Sequence, residues 1–166
     1  VAPPGGVIEA PWLSVADVDG DGRPELLLTQ KNFLRAVVLK KETGMQSSTN
    51  KSAWVFQVKD QINGAAGNSR IAGAAAIRNG TNTVASLFLL DAERKTLTLC
   101  ERDTAGVWQV MRNVPLPVSD FVSLQPVALG STNLNSVAFL GLNAVAWMPL
   151  AGSALTRSHP IESATL

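Results

Sequence analysis

The chain has 166 residues, 46% of them apolar and 16% charged, which is the length of one domain with enough apolar surface for a real core. With a formal net charge of +1 and no basic cluster longer than Lys40-Lys41, the sequence excludes a nucleic-acid stripe or an anionic-membrane footprint. No apolar stretch approaches the roughly 20 residues of a membrane span, and a single cysteine, Cys100, excludes an internal disulfide framework.

The opening Val1-Ala2-Pro3-Pro4-Gly5-Gly6 has neither the basic region nor the apolar stretch of a signal peptide, so the chain is expected to begin after processing or inside a longer protein. Residues 12–16 then read as a short strand, and residues 25–29 as a second. Between them lies Asp17-Val18-Asp19-Gly20-Asp21-Gly22-Arg23-Pro24-Glu25, an acidic loop built for a hard cation. Side chains at positions 1, 3 and 5 of such a loop converge on one point, a carbonyl at position 7 joins them, and a carboxylate at position 9 closes the shell. Here those groups are Asp17, Asp19, Asp21, the Arg23 carbonyl and Glu25. An all-oxygen set suits calcium, which takes six to eight oxygens in flexible geometry, better than magnesium, which keeps its waters. Gly22 permits the sharp turn. An EF-hand is excluded, because it needs a bidentate Glu at position 12, where this chain has Leu28, and an exit helix where it has Pro24.

The run Val15-Ala16-Asp17-Val18-Asp19-Gly20-Asp21-Gly22-Arg23-Pro24-Glu25-Leu26 resembles the calcium-binding hairpin of FG-GAP or VCBS repeats. That resemblance covers these dozen residues. It implies a blade of a β-propeller, with calcium held between the first two strands by Asp17, Asp19, Asp21, Glu25 and the Arg23 carbonyl. The family's last acid is usually Asp, so Glu25 is a departure at that contact.

Beyond the loop the chain continues as apolar strands separated by polar turns. Strands are expected at 34–40 and 52–58, then at 71–77, 84–90, 96–101 and 106–111, and finally at 121–129, 136–140 and 144–148. Trp54 and Trp108 sit in the alternating runs 52–58 and 106–111, which suits the outer strand of a blade packing on its neighbour. The stretch Gln61-Ile62-Asn63-Gly64-Ala65-Ala66-Gly67-Asn68-Ser69 reads as a link between the first two units. The tail 154–166 either completes the last unit with a fourth strand or serves as a linker.

The fold expected is therefore all-β, a propeller-like array of about three four-stranded antiparallel blades at 12–60, 70–113 and 121–166, with starts roughly 50 to 60 residues apart. Three blades do not close a ring that typically has about four to eight. Other copies of the chain, or the remainder of a longer one, are expected to complete it. The sister turns 78–83 and 130–135 carry Asn and Thr instead of carboxylates, so one calcium is expected. The weak binding of extracellular loops, about 10⁻⁴ to 10⁻³ M, points to an extracellular, periplasmic or cell-surface location.

No convincing catalytic constellation is legible. The sequence has no Gly-x-Ser-x-Gly elbow, no phosphate loop and no histidine pair; His159 is alone in the tail and reads as solvated. Cys100, in the alternating run 97–100, reads as a buried structural thiol, and Asp60 and Asp120 as isolated acids. Asp91/Glu93 and Glu101/Asp103 fall at turns, and two sequons start at Asn50 and Asn79. The function expected is a non-enzymatic module that binds a protein or carbohydrate partner through surface loops, with calcium as a structural clip. The alternative is the propeller part of a secreted carbohydrate-active enzyme such as a polysaccharide lyase. The absence of tyrosine from the chain argues for the first.

Overall fold

A computed structural model describes residues 13–43, 52–78, 84–116, 121–149 and 162–165. Asn50, Asn79, Asp120, His159 and most of the 78–83 turn lie outside them. The described residues are all-β, with no helix among them. The first sheet contains β1 (Leu13–Ala16), β2 (Glu25–Gln30), β3 (Phe33–Thr43) and β4 (Ser52–Asn63). The second contains β5 (Ile71–Ile77), β6 (Ser86–Asp91), β7 (Thr96–Arg102) and β8 (Trp108–Pro115). The third contains β9 (Phe121–Val127), β10 (Ser136–Gly141), β11 (Ala144–Pro149) and β12 (Glu162–Thr165). Each is an antiparallel meander in chain order, and the tail supplies the fourth strand of the third sheet.

The second sheet is the middle layer. Leu87, Leu89 and Cys100 pack with Leu27, Leu34, Ala36 and Ile62 of the first sheet. Phe88, Leu90, Leu97 and Leu99 pack the other way, against Leu124, Val137, Phe139 and Met148 of the third. A strand buried on both faces needs apolar residues at successive positions instead of alternation, and β6 meets that with Leu87-Phe88-Leu89-Leu90. A register shift between Ile71 and Gly73 lets Ile71 and Ala74 face the first sheet while Ala72 and Ala75 face the third. β5 thereby lies against β1, β2 and β3 on one side and β9 on the other. The link into it is tied down where Gly64 and Ile71 donate their N–H groups to the carbonyls of Asn32 and Lys31 at 2.7 and 2.6 Å.

β4 runs on to Asn63, so the first three residues of the expected link are strand. The two outer-strand tryptophans part company. Trp108 is half-buried against the core shared by the first two sheets. Trp54 is 64% exposed, because it lies on the face of the first sheet turned away from the second. Cross-strand pairs put Val15, Leu39, Phe56 and Val58 on that same outer face, all of them exposed.

Asp91 fastens the second sheet's central turn. Its Oδ1 accepts the backbone N–H groups of Arg70, Glu93 and Arg94 at 3.0–3.1 Å. Burial alone would raise its carboxyl, but the Ser69 hydroxyl and these three N–H donors outweigh burial and hold it below the ordinary carboxylate range. A lowered folded pKa contributes stability that is present above the unfolded value, about 3.9, and is lost as pH falls through the folded one. Asp91→Asn is therefore expected to be less stable than the parent at pH 7, with the difference closing at acid pH. Urea midpoints at pH 7 and pH 3 check this.

Candidate metal centre

The acidic loop joins β1 to β2 on the side of the first sheet that faces the second. Gly20 and Gly22 have φ of 81° and 84°, left-handed values that side chains resist and that wind the loop tightly around its own carboxylates. Each acid then divides its two oxygens between tasks. Asp19 Oδ1 accepts the Asp21 N–H at 3.2 Å, Asp21 Oδ1 the Arg23 N–H at 2.8 Å, and Glu25 Oε2 the Val18 N–H at 3.0 Å. The remaining oxygens, Asp19 Oδ2, Asp21 Oδ2 and Glu25 Oε1, turn toward one point.

The Lys59 ammonium sits at that point, 2.6 Å from Asp19, 2.8 Å from Asp21 and 3.1 Å from Glu25. An ammonium has three donors, and here each has its own carboxylate. The contact with the loop raises the Lys59 pKa, with the Asp19 and Asp21 hydrogen bonds as the main causes. The same contact, with the Arg23 N–H, lowers the Asp21 carboxyl.

Asp17 occupies the first loop position but is turned differently. Its oxygens accept the N–H groups of Gly20 and Gly22 at 2.7 and 2.8 Å, and Oδ2 also pairs with Arg78 at the end of β5. These donors outweigh its desolvation, so its carboxyl is held low. Asp17, Asp19 and Asp21 nevertheless each offer an oxygen within 4.8 Å of the others. Arg23 is exposed on the rim, and Glu25 is fully buried beneath the loop.

This donor set fits a hard cation. It is made of carboxylate oxygens, three of them already gathered around a positive charge at distances slightly longer than the ~2.3–2.6 Å that calcium takes. Asp17, Asp19, Asp21 and Glu25 would hold the ion, and its charge would relieve the repulsion among the four acids. Position along the chain revealed the acids but not Lys59, which lies 34 residues from Glu25.

A second polar cluster lies on the same face of β4, one residue further along the strand. Asp60 Oδ2 accepts Arg102 Nη2 at 2.5 Å and the Trp108 indole N–H at 2.7 Å, and the Arg102 guanidinium stacks 4.5 Å from the Trp108 ring centre. Asp60 is thus no isolated acid; it ties the outer strands of the first two sheets together. Beside it runs a groove of about 390 Å³ lined in part by Asn63, Trp108 and Gln109. Cys100 lines its floor, buried, its thiol pushed up to about 11 by desolvation, which makes it a poor nucleophile. Asp103 serves its own turn, accepting the Ala105 and Val107 N–H groups at 2.9 Å, whereas Glu101 lies within β7 and accepts the Ser86 hydroxyl from the adjacent β6 at 2.9 Å.

No protein-family profile matches this chain, and no curated protein sequence matches it.

Proposed function

We propose that the chain is a non-enzymatic FG-GAP/VCBS-like propeller module that binds a protein or carbohydrate partner at its surface, with one structural calcium clipping the first hairpin. The observation that carries this reading is the convergence of the Asp19, Asp21 and Glu25 oxygens on one point occupied by a positive charge. Two features of the layers support the propeller. The first strands of successive sheets, β1, β5 and β9, lie next to one another, as strands nearest the axis of a propeller do. The outer face of the first sheet carries Val15, Leu39, Trp54 and Phe56, the apolar surface on which a further blade would pack. Millimolar calcium outside the cytosol fits an extracellular, periplasmic or cell-surface setting.

Within this reading the groove beside Trp108 favours a carbohydrate. Asp60, Asn63 and Gln109 offer planar polar groups next to an indole, the combination of apolar surface and fixed polar groups that a small ligand needs. The same groove keeps open the second reading, the propeller part of a secreted polysaccharide lyase, which product formation from a polyuronide would reveal.

The expected result is a melting temperature that rises in millimolar calcium relative to chelator and an Asp19→Ala variant indifferent to both. With a dissociation constant of 10⁻⁴ to 10⁻³ M and about 1 mM free calcium, the gain is about 0.4 to 1.4 kcal/mol. A glycan array probed with and without calcium tests the binding half. Identical melts in calcium and chelator would remove the metal from the reading.

A further inference from the structure

β3 and β4 pair regularly except at one place. Ala36 lies opposite Asp60, and its neighbour Val37 lies opposite Val58, so Lys59 is the extra residue of a β-bulge. Regular alternation across Val58-Lys59-Asp60 would send Lys59 and Asp60 to opposite faces of the sheet. The bulge gives both to the side facing the second sheet: Asp60 reaches Arg102 and Trp108, while Lys59 reaches the acidic loop. Bulges re-aim single side chains in this way. The side chain delivered here ends at the point where three carboxylate oxygens converge.

Two cations cannot share that point. We propose that Lys59 is a tethered competitor for the metal, a built-in cation that holds the loop closed without calcium and must swing aside before calcium enters. The inference rests on the calcium reading of the loop and adds a residue that sets its affinity. The binding reaction becomes an exchange: the ion gains the Asp19, Asp21 and Glu25 oxygens, and the ammonium gives them up to water. Lys59 is about one-third exposed, so its head has a path to solvent beside the loop. The structural effect is a loop that is ordered whether or not the metal is present. The binding effect is a weaker site, tuned to places where the ion is abundant.

The test is calorimetric titration of metal-free protein with calcium chloride alone, using the parent chain, Lys59→Met and Lys59→Arg, together with melting curves in chelator. Methionine keeps much of the stem and removes the charge; arginine keeps the charge. Lys59→Met is expected to bind calcium at least about tenfold tighter than the parent, and to melt lower than the parent in chelator. Lys59→Arg is expected to remain within about threefold of the parent, because charge sets the competition. Equal affinities for parent and Lys59→Met, or weaker binding by Lys59→Met, would overturn the competition while leaving calcium binding in place. Binding by Lys59→Met alone would support the competition and show that the parent loop uses Lys59 in place of metal. No heat from any of the three would overturn both the calcium reading and the inference built on it. If Lys59→Met does not fold, the parent-to-Lys59→Arg comparison is read by the Lys59 side-chain ¹⁵N resonance of the parent, which must shift on adding calcium if the ammonium is displaced and stay fixed if it is not.

Discussion

Phe88→Ala is expected to cost the fold about 3–5 kcal/mol, enough to leave much of the chain unfolded at physiological temperature. Phe88 is fully buried in the middle of β6, and its ring fills the space between the second and third sheets beside Phe139, Leu97 and Leu124. Truncation there removes the transfer energy of the ring and leaves a cavity that β-sheet neighbours on a fixed register cannot close. Phe56→Ala provides the contrast. Its ring is 52% exposed on the outer face of the first sheet, and its loss is expected to cost less than about 1 kcal/mol. Urea unfolding of both variants checks the pair, and similar midpoints would contradict the layer order.

Glu25→Ala is the second substitution expected to weigh heavily, at about 2–4 kcal/mol in the presence of chelator. Glu25 is buried with both oxygens committed, one to the Val18 N–H at 3.0 Å and one to Lys59 at 3.1 Å. Val18 is itself buried, so alanine would strand its N–H without an acceptor and take one of three carboxylates from the ammonium. Glu25→Gln separates the two losses. It retains a carbonyl oxygen for Val18 but no charge for Lys59, and is expected to cost about 1–2 kcal/mol. Chelator keeps metal out of the comparison, and denaturant midpoints at pH 7 read it. Equal stability of Glu25→Ala and the parent would show that the buried carboxylate is not holding the loop.

Much of this architecture was legible because β-structure writes itself at short range. The strand pairs around the acidic loop, the Asp91 turn and the tight turn after Leu140 all announce themselves within ten residues through apolar runs and turn chemistry. The acids of the loop were readable for the same reason. What the sequence does not spell out is long-range. Lys59 stands in Trp54-Val55-Phe56-Gln57-Val58-Lys59-Asp60, where a strand-period reading makes Lys59 a polar residue on a solvated face. Alternation sets it on the face opposite to Val58, the one-residue bulge in the pairing with β3 keeps Asp60 on that same face, and the stacking of the second sheet makes that face an inner one. Asp60 looked solitary because its partners, Arg102 and Trp108, are 42 and 48 residues away. The two tryptophans looked equivalent because the sequence gives each the same local setting; only the stacking order of the sheets distinguishes Trp108, which has a neighbouring layer, from Trp54, whose side of the first sheet has none among the described residues.

The double burial of the second sheet makes the three sheets non-interchangeable. A sheet at either end of a stack has one side on which Lys, Gln or Ser is harmless, and the first sheet uses that latitude at Arg35 and Gln61, whose side chains bond to each other at 3.0 Å across adjacent strands. β6 has no such side, since all six of its residues are buried. If the three sheets descend from one ancestral unit, the Leu87–Leu90 core of β6 was free to change only from one apolar residue to another, while positions such as Arg35 and Gln61 in the first sheet were free to change in kind. Divergence among them would then record position in the stack as much as time, and the unit that lost its polar alternation would be the hardest to align with its own siblings.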